Sequence, residues 1–182
     1  MDYITPPDDI NLNQTNDAQV NMPPMPTADD VVFCSDDFGQ LVPVEREALL
    51  FRPAVYGILL ENTQVLLHAH ARTGRWHLPG GFVEREQAPD QALRLHFRST
   101  TGMMPVIQSV AMVDDLFYYD GEQGYRLSAL YYLVGRPSAG LANLIDFNNE
   151  ARPEWVSLST LDRLDMQFGF DAIQNAQLIT QK

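Results

Sequence analysis

Two sets of side chains in this chain of 182 residues combine chemical reactivity with short spacing. The first is a run of carboxylates, Glu84, Glu86 and Asp90, the oxygen donors a hard cation such as Mg²⁺ takes. Asp90, however, is equally explained as an acid at a helix start, where the dipole favours negative charge. The second set is the histidines. His68 and His70 share a strand face at spacing two, and with His96 they raise the idea of a transition-metal site. A histidine on an apolar helix face is more often a hydrogen-bonded core residue, and no Cys or carboxylate accompanies it at ligand spacing. His77, between Trp76 and Leu78, reads equally well as a rim residue. The single cysteine, Cys34, has no basic neighbour to activate it and reads as an inert core thiol.

The elements that must position these groups are legible from punctuation and pattern. Val31–Cys34 and Gln40–Val44 flank a turn rich in Asp and Gly, a hairpin signature. Ala54–Leu60 and Gln64–Ala69 form a second strand pair around Glu61-Asn62-Thr63. After Trp76-His77-Leu78-Pro79-Gly80-Gly81-Phe82-Val83, Pro89 suits a first helical position and Gly102 a C-terminal cap. The helix between them carries an apolar stripe of Ala92, Leu93, His96, Phe97 and Thr100, while Arg94 and Arg98 fall on a solvated face. Strands are expected at Val106–Val113, Asp115–Tyr119 and Arg126–Val134, with a short strand at Trp155-Val156. Ser159–Leu164 reads as a helical turn and Phe170–Ile179 as a closing helix. The class is α/β or α+β, a mixed sheet covered by helices.

Over Trp76 to Met103 the sequence resembles the Nudix (MutT-like) family. That family's box reads Gly, five residues, Glu, seven residues, Arg-Glu, an aliphatic, any residue, Glu-Glu, any residue, Gly, an aliphatic. Leu78-Pro79-Gly80-Gly81-Phe82-Val83-Glu84 matches its approach, Pro89-Asp90-Gln91-Ala92 the start of its helix and Gly102-Met103 its end. Arg52-Pro53-Ala54-Val55-Tyr56-Gly57-Ile58, Val65-Leu66-Leu67 and Glu154-Trp155-Val156-Ser157-Leu158 with Leu161 extend the likeness across residues 51–178. The resemblance implies a Nudix fold, with the mixed sheet sandwiched between helices and an N-terminal hairpin.

The box is degenerate where its chemistry resides. Aligned from Gly81, the family's loop Glu is Gln87, its Arg is Leu95, and its three helical metal-binding glutamates are His96, Ser99 and Thr100. Residues three and four apart share one helix face, so the spacing survives without the ligands. Aligning from Gly80 brings Glu86 and Arg94 into register, but puts Leu95, Arg98 and Ser99 at the metal positions. Either register removes the carboxylates that would hold Mg²⁺ for attack of water on a pyrophosphate.

The resemblance then implies a non-hydrolysing or catalytically impaired binder of a nucleotide-derived, nucleoside diphosphate-linked ligand. Substrate-binding candidates are Arg52, Arg72, Arg75, Gly80, Gly81, Phe82 and Arg126; Glu86 and Glu150 are the candidate catalytic carboxylates. No cofactor is expected. The alternative is an atypical or weak hydrolase acting on an ADP-ribose-like compound with Mg²⁺ or Mn²⁺ held by Glu84, Glu86, Glu150 or Glu154. A third reading, an interaction protein with a filled pocket, also stays open.

Charge bounds the partners. The 12 Lys and Arg against 24 Asp and Glu give a formal charge of −12, which repels nucleic acid and anionic membranes at long range. Residues 1–30 carry Asp2, Asp8, Asp9, Asp17, Asp29 and Asp30, five prolines and no Lys or Arg, the composition of a disordered acidic tail. The folded domain is expected over 31–182. The tail lacks the basic start and apolar run of a secretory signal, and one cysteine forms no internal disulfide, so a cytoplasmic protein is expected. Homodimerisation is left open.

Overall fold

The computed structural model describes residues 30–137 and 153–181. Strands β1 (Val31–Ser35) and β2 (Leu41–Glu45) form the leading antiparallel hairpin. β3 (Leu50–Glu61) and β4 (Gln64–Ala69) follow, joined at Asn62 and Thr63. Both of those turn residues have positive φ, 47° and 64°, as a two-residue hairpin with the twist of its strands requires. Next come β5 (Trp76–His77), β6 (Gly80–Phe82), α1 (Pro89–Thr101), β7 (Val106–Tyr119), β8 (Gly124–Gly135), β9 (Pro153–Ser157) and α2 (Phe170–Thr180).

The sheet runs β2-β1-β7-β8-β3-β4-β5, with β6 on β3 and β9 on β4. Its spine is the parallel ladder of β3 with β8, from Leu50 opposite Tyr125 to Leu59 opposite Val134. Alternation along these strands sorts side chains to two faces. Val55 and Leu59 pack with Val134 against Ala92, Leu93 and Phe97 of α1. Ile58, Ala129, Tyr131 and Leu133 pack against Ala172, Ile173 and Ala176 of α2. The mixed sheet thus lies between two helices, as expected from sequence.

Several local expectations need correction. Val106–Val113 and Asp115–Tyr119 are one strand, β7, because pairing with β8 continues without interruption through Asp114 opposite Ala129; the strand's two bulges lie earlier, between Ile107 and Ser109 and between Val110 and Met112. The helical turn expected at Ser159–Leu164 is split in two: a turn at 158–160, with the Leu161 amide donating to the Ser157 carbonyl, and a single 3₁₀ turn at Arg163–Asp165, where the Leu164 amide donates to the Asp162 carboxylate. The buried face of α1 ends on Thr101 rather than Thr100. Arg94 is half-buried and donates to the Pro105 carbonyl, anchoring the helix to the chain that leaves it. The acidic segment, of which residues 1–29 are not described, and Glu150 lie outside the described residues.

Helix α1 sits close to β3 because Gly57 lacks a side chain. A Cβ there would come within 2.6 Å of Phe97 Cδ2, and Phe97 is fully packed at 1% exposure. Phe97→Ala is expected to cost about 3–5 kcal/mol, read as a lower urea midpoint at unchanged slope. Gly57→Ala should also destabilise by overpacking.

Candidate functional site

The loop that carries the glycine pair is held by β3. Gly80, Gly81 and Phe82 pair with Tyr56, Val55 and Ala54. Gly80 admits no Cβ, which would lie 2.2 Å from the Val55 carbonyl oxygen. Gly81 is filled from the helix side by the His96 ring, 2.9–3.1 Å from where a Cβ would stand. His96 Nε2 lies 2.8 Å from the Phe82 carbonyl oxygen. A carbonyl only accepts, so Nε2 carries the proton and the imidazole ties the loop to α1.

The neighbouring positions are engaged in the same local way. Ser99 donates its hydroxyl back to the His96 carbonyl at 2.8 Å, and Thr100 is half-buried. Gln87 closes the loop on itself, its backbone amide donating to the Glu84 carbonyl at 3.0 Å. Glu84 is an exposed partner of Arg52 at 3.6 Å, and Glu86 is exposed. This constellation does not fit Mg²⁺, which demands several oxygen donors in near-octahedral array. Among the described residues, no three His, Cys, Asp or Glu side chains are grouped to hold a metal ion.

Arg52 and Phe82 do come together. The guanidinium carbon stands 4.2 Å from the Phe82 ring centroid, a cation–π stack that orients the charge. From Phe82 an aromatic row continues across the α2 face of the sheet. Tyr125 lies 6.0 Å from Phe82, Tyr118 6.4 Å from Tyr125, and Phe168 meets Tyr118 edge-on at 5.5 Å. Arg52, Pro53, Val83, Glu84, Gln87 and Pro89 line a shallow depression at the Arg52 end.

The structure does not bring the other arginines to this group. Arg126 follows Tyr125 and so faces the opposite side of the sheet, where it pairs with Asp115 at 2.6 Å. Arg72 pairs with Asp37. Arg75 donates to the Met166 carbonyl and lies beneath Gly39, whose Cβ, were there one, would strike its guanidinium. Tyr118, Tyr125 and Phe168 were not singled out in the sequence. A run of tyrosines signals strands but says nothing about which rings from residues 82, 118, 125 and 168 converge.

The histidines form a row rather than a ligand cage. His77 stands between His68 and His70, at centroid distances of 5.5 and 5.3 Å. The row ends at Asp37, 3.9 Å from His70 Nε2. His96, tied to Phe82, is not part of it. Burial, reinforced by the neighbouring His68 and His70, pushes His77 down to about 4; burial also lowers His68. Burial alone would raise Asp37, but the Tyr118 hydroxyl at 2.6 Å and the Arg72 guanidinium override it and hold the carboxyl below its usual value. Cys34 is buried and burial raises its thiol.

A second concavity lies on the same sheet face under the amino end of α2, bounded by the Phe168 end of the aromatic row. It has a volume of about 150 Å³ and a floor of Met112, Leu116 and Tyr131.

The architecture and the Gly81 loop on its helix agree with the match of the NUDIX domain model to residues 50–176. The chain belongs to the Nudix family. Similar solved structures include a UDP-X diphosphatase, at 15% identity and TM-score 0.56, covering 72% of this chain and 64% of that one. A MutT protein from Methanosarcina mazei Go1 has 18% identity and TM-score 0.55, covering 74% and 98%. An ADP-ribose pyrophosphatase from Streptococcus suis 89-1591 has 15% identity and TM-score 0.55, covering 72% and 92%. At these identities the likeness is one of fold. No curated protein matches the sequence significantly. Among the described residues of this Nudix chain no helix is long and apolar enough to cross a membrane.

The histidine row has a consequence for stability. His77 titrates near 4 in the folded chain and near 6.5 when unfolded, so between these values the unfolded chain binds the extra proton. Its contribution is therefore complete above pH 6.5 and lost as the pH falls toward 4, on the order of 3 kcal/mol in all. Urea midpoints measured from pH 7.5 to 4 should fall through that window, and His77→Phe should flatten the fall.

Proposed function

We propose that this Nudix domain binds a nucleotide-derived, nucleoside diphosphate-linked ligand and has lost, wholly or largely, the hydrolytic apparatus of its family. One observation carries the reading: His96, at a position where the family resemblance places a metal-binding glutamate, donates its Nε2–H to the Phe82 carbonyl. Mg²⁺ prefers oxygen ligands, and this position supplies an imidazole tied to the loop in place of a carboxylate. Ser99 and Thr100, beside it on the helix, are neutral. The loop–helix junction that a cation would bridge is bridged by a hydrogen bond instead.

Ligand recognition does not need the cation. Arg52, oriented on Phe82, offers a directed positive charge for a phosphate, and the aromatic row offers faces on which a base can stack. The similar structures include proteins named for UDP-X and ADP-ribose, which supports a small nucleotide derivative as the ligand class. The partner is then a small molecule, and neither nucleic acid nor membrane is required. Domain limits of 31–182 and a cytoplasmic setting belong to the same proposal.

The second reading is a weak hydrolase. It is favoured by the exposure of Glu84 and Glu86 in the box loop, where Glu86, and Glu84 on leaving its pair with Arg52, would approach a cation carried in by the ligand's own phosphates. Mg²⁺ or Mn²⁺ would then arrive as part of the ligand complex.

Thermal melting with ADP-ribose and nucleoside diphosphates should show a ligand-dependent rise, because binding to the folded state alone stabilises it. Arg52→Ala should weaken that binding roughly tenfold, about 1.4 kcal/mol. Phosphate-release assays of the same compounds with Mg²⁺ or Mn²⁺ should show no turnover. Metal-dependent turnover that Glu86→Gln abolishes would instead establish the hydrolase.

A further inference from the structure

The cavity beneath the amino end of α2 is not used by the reading above, and the charges on its wall do not balance. Asp114, Arg163 and Asp171 all line it. Arg163 and Asp171 satisfy one another, both amino groups of the guanidinium donating to the two oxygens of that carboxylate. The same guanidinium lies over the Phe170 ring, 5.0 Å from its centroid. Asp114 is left over: among the described residues it has neither a hydrogen bond nor an ion pair.

We propose that this cavity binds an organic cation, an alkylammonium group held by the Asp114 carboxylate. The proposal goes beyond the nucleotide-binding reading and does not rest on it, since Arg52 stands at the far end of the aromatic row.

Orientation is the first argument. Asp114 lies opposite Ala129 in the ladder of β7 with β8, and Ala129 packs on the α2 side of the sheet. Strand alternation therefore sends the Asp114 side chain to the cavity face, between Met112 and Leu116 of the floor. Its charge is felt there: burial chiefly, then Tyr56, Asp114 and Asp171, raise the hydroxyl of Tyr131 above its ordinary value. Access is the second argument. Asp114 is half-buried rather than sealed, so a solute entering the cavity meets it.

Charge is the third argument. An anion finds the guanidinium already committed and an unpaired carboxylate that repels it. The positive amino end of α2 is met by Asp171 in its own first turn. A metal ion finds too few donors, since no three His, Cys, Asp or Glu side chains among the described residues are grouped to hold one. An ammonium needs one opposite charge, and in a half-buried setting that attraction is stronger than in open water. The sulfurs of Met112 and Met166 and the ring of Phe168 give its alkyl part a polarisable surface. Arg163 on Phe170 already uses the rim of the cavity in this way.

The test is an NMR titration of the full chain with choline and with ethanolamine, against sodium chloride at equal ionic strength and against dimethylbutanol, the uncharged carbon isostere of choline. At least one ammonium is expected to shift the amides of Asp114, Leu116, Phe168 and Gly169 saturably, with the isostere about tenfold weaker than choline. Asp114→Asn breaks no hydrogen bond and should lower ammonium affinity about tenfold with an intact thermal melt. The chain's formal charge of −12 attracts cations everywhere, so Asp115→Asn serves as the control. It removes the same charge from the other face of the same strand, loses only a surface pair with Arg126, and should leave ammonium affinity unchanged. Equal losses in the two variants, undiminished binding to Asp114→Asn, an isostere as tight as choline, or no saturable shift with either ammonium would each overturn the proposal. None of these outcomes bears on nucleotide binding at Arg52.

Discussion

The parallel ladder between β3 and β8 is the constraint from which the rest of the molecule follows. These are long strands with apolar side chains on both faces, and pairing them fixes at once which residues meet α1 and which meet α2. A slip of one residue would reverse every assignment. It would turn Tyr131 away from the α2 side and take Arg52 from the face that carries Phe82. The face that carries Arg52 and Phe82 is thus a by-product of core registration, and its rigidity comes from strands buried on both sides.

The same ladder explains how a box without its acids keeps its shape. In a metal-dependent site, cation–carboxylate attraction draws loop and helix together and offsets the repulsion among the clustered glutamates. Here the clustered charge is gone, and one hydrogen bond from His96 to Phe82 is sufficient because β6 is already pinned to β3 and α1 is already packed through Leu93 and Phe97. Charge is retained elsewhere, in ion pairs such as Arg126 with Asp115 and Arg163 with Asp171 at the surface, where solvent screens them and their structural weight is small.

The β4–β5 edge shows a different solution to buried polarity. Three imidazoles form a row that ends at Asp37, His77 stacked on His70 and tilted against His68. The row is sustained by keeping its inner rings uncharged, while Arg72 and Tyr118 hold the terminal carboxylate ionised. The leading hairpin is joined to the body of the sheet through this arrangement as well as through the single register of Ser35 on Tyr118.

By itself the sequence determined the local elements and the residue types at the box positions. Pro89 and Gly102 bounded α1 because each has a backbone restriction that acts within one turn, and the loss of glutamates at 96, 99 and 100 is a matter of composition at fixed spacing. The β7 bulges were not legible, since a bulge breaks the alternation on which a strand is recognised. Which side chains converge was decided only by the tertiary structure: Arg126 and Arg52 look alike in the sequence, yet strand alternation and pairing put them on opposite faces. Tyr131 and Gln167, far apart in the chain, meet around one cavity because sheet and α2 pack there. Local rules see neighbours within a few residues, whereas a site is assembled by burial, which acts between surfaces regardless of distance along the chain.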